Sequence, residues 1–120
     1  MENKIKSFED LEIWKESTAL TIEIHKLLKD CKNYGFRDQI QRCSVSVPSN
    51  IAEGFERNSN KEYIQYLYIA KGSCGELRTQ LYIAQETGIL DREVSRKLIE
   101  RARIISSKIF KLIQTRQKNF

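Results

Sequence analysis

The sequence predicts an all-α fold, an up-down-up-down antiparallel four-helix bundle with a proline-kinked second helix. Three observations carry this. Apolar residues recur at alternating steps of three and four through four long stretches, the period of helices that bury one face. No alternating apolar and polar pattern of a half-buried strand competes with them. One proline and five glycines in 120 residues are too few for the frequent reversals of a sandwich or barrel. At this length a single domain, residues 1–120, buries about two thirds of its unfolded surface.

The first helix is predicted over 8–32. Ser7 precedes Phe8, Glu9 and Asp10, an N-cap with carboxylates that offset the positive end of the helix dipole. Ile13, Ser17, Leu20, Ile24, Leu27 and Cys31 make its inner stripe, with Leu11, Trp14, Thr18, His25 and Leu28 beside it. Asn33-Tyr34-Gly35 is expected to end it, with Gly35 as the left-handed stop.

The second helix is predicted over 36–57, with Phe36, Ile40, Cys43, Val47, Ile51 and Phe55 on one side. Pro48 removes a backbone hydrogen bond and crowds the carbonyl of Ser44, so a kink is expected there. A break into two helices is the alternative. The apolar spacing keeps its phase from Ile40 through Phe55 and favours one helix.

The third helix, 60–87, opens on Ser59-Asn60-Lys61-Glu62, a capping-box pattern. Leu67, Ala70, Cys74, Leu77, Leu81 and Ala84 form its core stripe. Tyr63, Ile64, Tyr66, Tyr68, Ile69, Tyr82 and Ile83 are more apolar surface than one intramolecular core takes, so a second subunit is expected against this helix. Thr87-Gly88 closes it. Asp91 caps the fourth helix, 91–116, whose stripe is Val94, Leu98, Ala102, Ile105, Ile109 and Leu112. The tail from Gln117 to Phe120 is expected to fray.

The composition, 40% hydrophobic and 31% charged, is that of a soluble globular chain. No apolar run reaches the roughly 18 residues of a membrane span, and the charged start, Met1-Glu2-Asn3-Lys4, lacks the apolar core of a secretion signal. A cytoplasmic location is expected. Cys31, Cys43 and Cys74 are odd in number and widely spaced, fitting neither a disulfide framework nor a zinc site; they are expected as small buried hydrophobes.

The net charge of +5 sits at one end of the chain. Residues 89–120 hold nine basic side chains, Arg92, Arg96, Lys97, Arg101, Arg103, Lys108, Lys111, Arg116 and Lys118, against three acidic ones, while the other segments nearly balance. On a helical wheel Arg92, Arg96 and Arg103 fall on one flank of the core stripe, and Lys97, Arg101 and Lys108 on the other. Such a ridge attracts a phosphate backbone through counterion release. Equally, it is what a solvated helix face looks like. Aromatic residues interleave poorly with it along the sequence, so base stacking has little support. The candidate nucleic-acid-binding residues are Arg92, Arg96, Arg103, Lys108 and Lys111.

Catalytic patterns are missing. His25 is the only histidine, which excludes the paired Glu-x-x-His metal centre of such bundles. No phosphate-cradling glycine loop or nucleophile elbow is present. Gly72-Ser73-Cys74-Gly75 falls mid-helix, where small residues let a neighbouring helix approach. Asn50 and Glu53 fit bonds to backbone groups freed at the kink or to the adjoining loop. No enzyme, catalytic residue, cofactor, metal or small-molecule substrate is expected; the weaker alternative is an enzyme using Glu53 or Glu76.

Several strings together are distinctive: Phe8-x-Asp10-Leu11-x-x-Trp14, Gln39-Ile40-x-Arg42, Ser46-x-Pro48-x-Asn50-Ile51-Ala52-Glu53-Gly54, and Ala70-x-Gly72-Ser73-x-x-Glu76-Leu77. With them the chain resembles the 23S ribosomal RNA intervening-sequence protein family over nearly its whole length. The resemblance implies a four-helix bundle and a homopentameric ring. It also brings in a relative, the accessory variability protein of diversity-generating retroelements, which binds reverse transcriptase and RNA through a basic surface. It implies no catalytic residues. Ser46, Pro48, Asn50, Glu53, Gly54, Gly72, Ser73 and Glu76 are therefore read as packing and polar bonds that fix the bundle and its subunit contacts. The resulting expectation is a homo-oligomer that binds RNA or a nucleoprotein through the last helix. A scaffold that docks a partner protein without nucleic acid is the alternative.

Overall fold

A computed structural model of the chain describes residues 4–120; the charged start read at Met1, Glu2 and Asn3 lies outside them. After a 3-10 turn at Phe8–Asp10 come α1 (Glu12–Leu27), α2 (Tyr34–Phe55), α3 (Asn60–Glu86) and α4 (Arg92–Asn119). No strand occurs among the described residues.

The relative direction of each helix pair follows from specific contacts. Arg57 reaches Tyr66 while Ser46 reaches Ser73, so α2 and α3 are antiparallel. Asn60 meets Arg116 and Glu86 meets Arg92, which runs α4 against α3. Glu16 holds Lys108 while Glu23 holds Arg101, so α1 runs against α4. The bundle is therefore up-down-up-down. α3 shares its two most extensive interfaces with α2 and α4, whereas α1 packs mainly on α2 and lightly on α4.

The core is built from the expected stripes: Ile13, Leu20 and Ile24 of α1, Ile40, Val47 and Ile51 of α2, Leu67, Leu77 and Leu81 of α3, and Leu98, Ile105 and Ile109 of α4 are all buried. Ser59 caps α3 by accepting the Glu62 N–H, and Asp91 caps α4 by accepting that of Val94. Gly88 takes the left-handed conformation, φ 76°, that a residue with a Cβ adopts only at a cost.

The helix ends correct the sequence reading in four places. The Asp10 carboxylate turns back onto the Lys6 and Ser7 N–H groups at 2.9 and 3.2 Å, closing a short turn. Leu11 is then extended and α1 begins at Glu12, not at Phe8. Its far end is Leu27, not residue 32; Leu28 stays buried because the chain turns there, with the Cys31 N–H on the Leu28 carbonyl. Asn33 begins a helix and does not end one: its side chain accepts the Phe36 N–H, which places Gly35 inside the first turn of α2. At the C-terminus α4 continues to Asn119. Arg116 stacks on the Tyr63 and Phe120 rings, 4.8 and 3.8 Å from their centroids, and donates to Asn60 Oδ1 at 2.7 Å. Those contacts tie down the turn expected to fray.

α2 runs unbroken through Pro48. Proline has no N–H for the Ser44 carbonyl four residues back. The Thr21 hydroxyl of α1 sits 2.9 Å from that oxygen, and 2.8 Å from the Ser17 carbonyl of its own helix.

Candidate nucleic-acid interface

The nine basic side chains near the end of the chain divide by helix face. Lys108 is held by Glu12 at 3.0 Å and Glu16 at 2.7 Å, and Arg101 by Glu23, all from α1. The carboxylates bonded to Lys108, Glu16 first, hold its ammonium above its usual pKa. Arg101 and Lys108 are thus engaged by α1, while Lys97 on the same flank is exposed and makes no ion pair among the described residues. Of the five candidates, Lys108 is the one tied to another helix by two carboxylates.

Arg96 and Lys111 are exposed and make no ion pair among the described residues. Arg103 pairs with Glu100 and Arg92 with Glu86. Both are surface pairs, of a kind that contributes little and yields to a stronger anion. Arg96, Arg103 and Phe110 recur every seven residues along α4, so they share one flank. That flank faces α3, because Lys71 of α3 lies over the Phe110 ring, 5.5 Å from its centroid.

α3 supplies two cations that the sequence reading passed over. Lys71 and Arg78 stand two turns apart on the α4-facing flank, partly exposed and with no carboxylate partner among the described residues. The balanced charge of this segment hid them; their seven-residue spacing was the available signal. The antiparallel register set by Lys71 with Phe110 and Glu86 with Arg92 brings Arg78 opposite the 96–103 stretch of α4. The outer seam between α3 and α4, the furrow of the two helices, thus carries Lys71 and Arg78 on its α3 side and Arg92, Arg96 and Arg103 on its α4 side.

The motif residues lie elsewhere, along α2 and its contacts. Ser46 and Ser73 share a hydrogen bond of 2.9 Å between α2 and α3. Asn50 Nδ2 donates to the Ser46 carbonyl at 2.8 Å and to its hydroxyl at 3.0 Å. Gly54 is where α3 comes closest: a Cβ there would stand 2.7 Å from the Tyr66 Cβ. Glu53 pairs with Arg57 at 3.7 Å. Glu76 is exposed beside the Cys43 thiol, which burial first and this carboxylate second push up to about 12.

Gly72 and Gly75 correct an expectation. No helix of this chain approaches them: each has open space where a Cβ would stand. The outward face of α3 leaves Tyr68 and Ile69, one turn before Gly72, and Ile83 further along about half exposed. A glycine inside a helix costs about 1 kcal/mol relative to alanine, and nothing in the single chain offsets it.

His25 is partly buried and its Nδ1 lies 2.9 Å from the Thr21 carbonyl, an ordinary bond within its helix. Among the described residues no three His, Cys, Asp or Glu side chains are grouped to hold a metal, and no helix is long and apolar enough to cross a membrane.

Residues 9–111 match the family described as 23S rRNA-intervening sequence protein. The fold is similar to that of a crystal structure, a protein of unknown function from the S23 ribosomal protein family of Bacteroides thetaiotaomicron VPI-5482. The TM-score is 0.79, at 23% sequence identity, covering 84% of this chain and 97% of that one. At that identity the likeness is one of fold. No curated protein matches the chain.

Proposed function

We propose that this chain, which belongs to the 23S rRNA-intervening sequence protein family, is a cytoplasmic, non-enzymatic homo-oligomer that binds RNA or a nucleoprotein through the α3-facing flank of α4. One observation carries the reading. Arg101 and Lys108 are tied to α1 by Glu23, Glu12 and Glu16, whereas Arg96 and Lys111 are exposed without an ion pair among the described residues and Arg103 is held only by Glu100 of its own helix, with Lys71 and Arg78 of α3 on the neighbouring flank. A helix face kept basic only for solubility has no reason to sort its charges in this way. Phosphate binding gains from several cations on one surface, and repetition around an oligomer multiplies the gain.

The oligomer rests on the outward face of α3, where Tyr68 and Ile69 lie one turn before Gly72 and Ile83 follows three turns beyond it. Five subunits is the count that the family resemblance implies. The reading assigns no chemistry to Glu53, which is engaged by Arg57, or to Glu76. A labelled structured RNA titrated with the protein at low and moderate salt, with duplex DNA as competitor, tests it. Salt-sensitive binding at micromolar protein or below is expected. No binding at low salt contradicts it and favours a scaffold for a partner protein.

A further inference from the structure

The furrow between α3 and α4 holds more than charge. Phe110 and Tyr82 are 40% and 54% exposed, large values for aromatic rings beside a packed helix seam. Phe110 lies under the Lys71 ammonium. Tyr82 follows Arg78 by one turn, on the part of α3 that the antiparallel register sets opposite residues 96–99. Along the furrow the order is therefore Phe110 with Lys71, then Arg78 with Arg103, then Tyr82 with Arg96. Cations alternate with rings over about 21 Å, from 14 residues of helix rise. Neither ring closes an internal contact that would account for its exposure: Phe110 touches a flexible lysine, and Tyr82 belongs to no aromatic pair or hydrogen bond among the described residues.

This alternation is the arrangement that single strands use, with phosphates tracked by cations and bases laid on ring faces. A duplex hides its base faces and presents only phosphates and groove edges, so the rings offer it nothing. We infer that the ligand of this surface is an unpaired nucleic-acid strand, RNA on the reading above, held in the α3–α4 furrow with bases stacked on Phe110 and Tyr82 and phosphates on Lys71, Arg78, Arg96 and Arg103. The inference rests on the nucleic-acid reading above and narrows it to one form of the ligand. It departs from the expectation that base stacking has little support, because Tyr82 is supplied by a different helix and is invisible in the sequence of α4.

The test compares two fluorescent probes by anisotropy at about 50 mM salt, where phosphate contacts are strong: an unstructured 12-nucleotide RNA and a 12-base-pair RNA duplex. Wild-type protein is expected to bind the single strand at least tenfold more tightly. The Tyr82→Leu, Phe110→Leu double variant keeps every charge and is expected to lose tenfold or more for the single strand while its duplex affinity is unchanged. Phe110→Trp retains a stacking face and is expected to keep wild-type affinity, which separates stacking from a general disturbance of the seam. Equal binding of the two probes, together with an unaffected double variant, overturns the furrow inference and leaves the basic-surface reading standing. Binding of neither probe overturns both.

Discussion

The hydroxyl of Thr21 lies 2.9 Å from the carbonyl oxygen of Ser44, the acceptor that Pro48 strands one turn further along α2. Two helices thus meet where the backbone of one lacks a donor. Replacing Thr21 by valine keeps the shape and removes the proton, leaving a buried acceptor unpaired at a cost of about 1 to 2 kcal/mol. In a Pro48→Ala background the helix supplies its own N–H, so the same substitution is expected to cost at least about 1 kcal/mol less. Denaturant unfolding of the four proteins in this cycle measures the difference. Equal costs in the two backgrounds contradict the assignment.

Gly54 and Gly72 are expected to respond in opposite directions. Gly54→Ala forces a methyl to within 2.7 Å of Tyr66 Cβ and 3.2 Å of the Tyr63 carbonyl, an overpacking cost of about 1 to 3 kcal/mol. Gly72→Ala meets open space in the single chain and relieves about 1 kcal/mol of helix cost. If the α3 face is a subunit contact, the same methyl weakens assembly. Thermal melting at low protein concentration together with sedimentation reads both effects, and a Gly72→Ala protein that assembles like wild type argues against that face.

How much of this was legible in the sequence depends on the range of the interaction. Ser59, Gly88 and Asp91 act on groups within a few residues, and their roles were readable. Asn33-Tyr34-Gly35 was not, because a C-terminal stop and an N-terminal cap share those residue types; the bond from Phe36 N–H to Asn33 decides between them. The stripe read through Leu27 and Cys31 fails at the helix end: Leu27 is 40% exposed and Cys31 only partly buried, and Leu28, where the chain turns, takes the buried place. Lys108 looked like part of a ridge because its partners, Glu12 and Glu16, stand at the other end of the chain. Only tertiary packing removes it. The furrow was hidden for the same reason, with half of its residues on α3.

Three thiols are expected to split into one reactive and two inert. Burial pushes both Cys43 and Cys74 up to about 12, so almost no thiolate forms near neutrality, while Cys31 is only partly buried. Ellman's reagent on the native protein at pH 8 should titrate one thiol rapidly, and a Cys31→Ser variant should show none until denaturant is added. Rapid labelling of Cys43 or Cys74 in the folded protein contradicts the packing described.

Acid should release the N-terminal turn. The Lys6 N–H first, then that of Ser7, holds the Asp10 carboxyl below its usual 3.8, so the folded state favours the ionised form. The stability this bond provides is complete above that value and fades as the pH falls through the lower, folded-state pKa. Asp10→Asn is expected to melt below wild type at pH 7, with the gap narrowing as the pH falls below 3.8. A constant difference across that range contradicts the role given to the carboxylate.

The central claim concerns which cations meet phosphate, and the salt dependence of RNA affinity measures that directly. A plot of log affinity against log salt has a slope of about 0.7 per phosphate contacted on a single strand. Neutralising Arg96, Arg103 and Lys111 together is expected to shallow that slope by about 1.4 from the two furrow arginines, and by about two where Lys111 also meets a phosphate, and to weaken binding most at low salt. An unchanged slope and affinity in the triple variant would place the RNA elsewhere on the bundle and remove the α4 surface from the account.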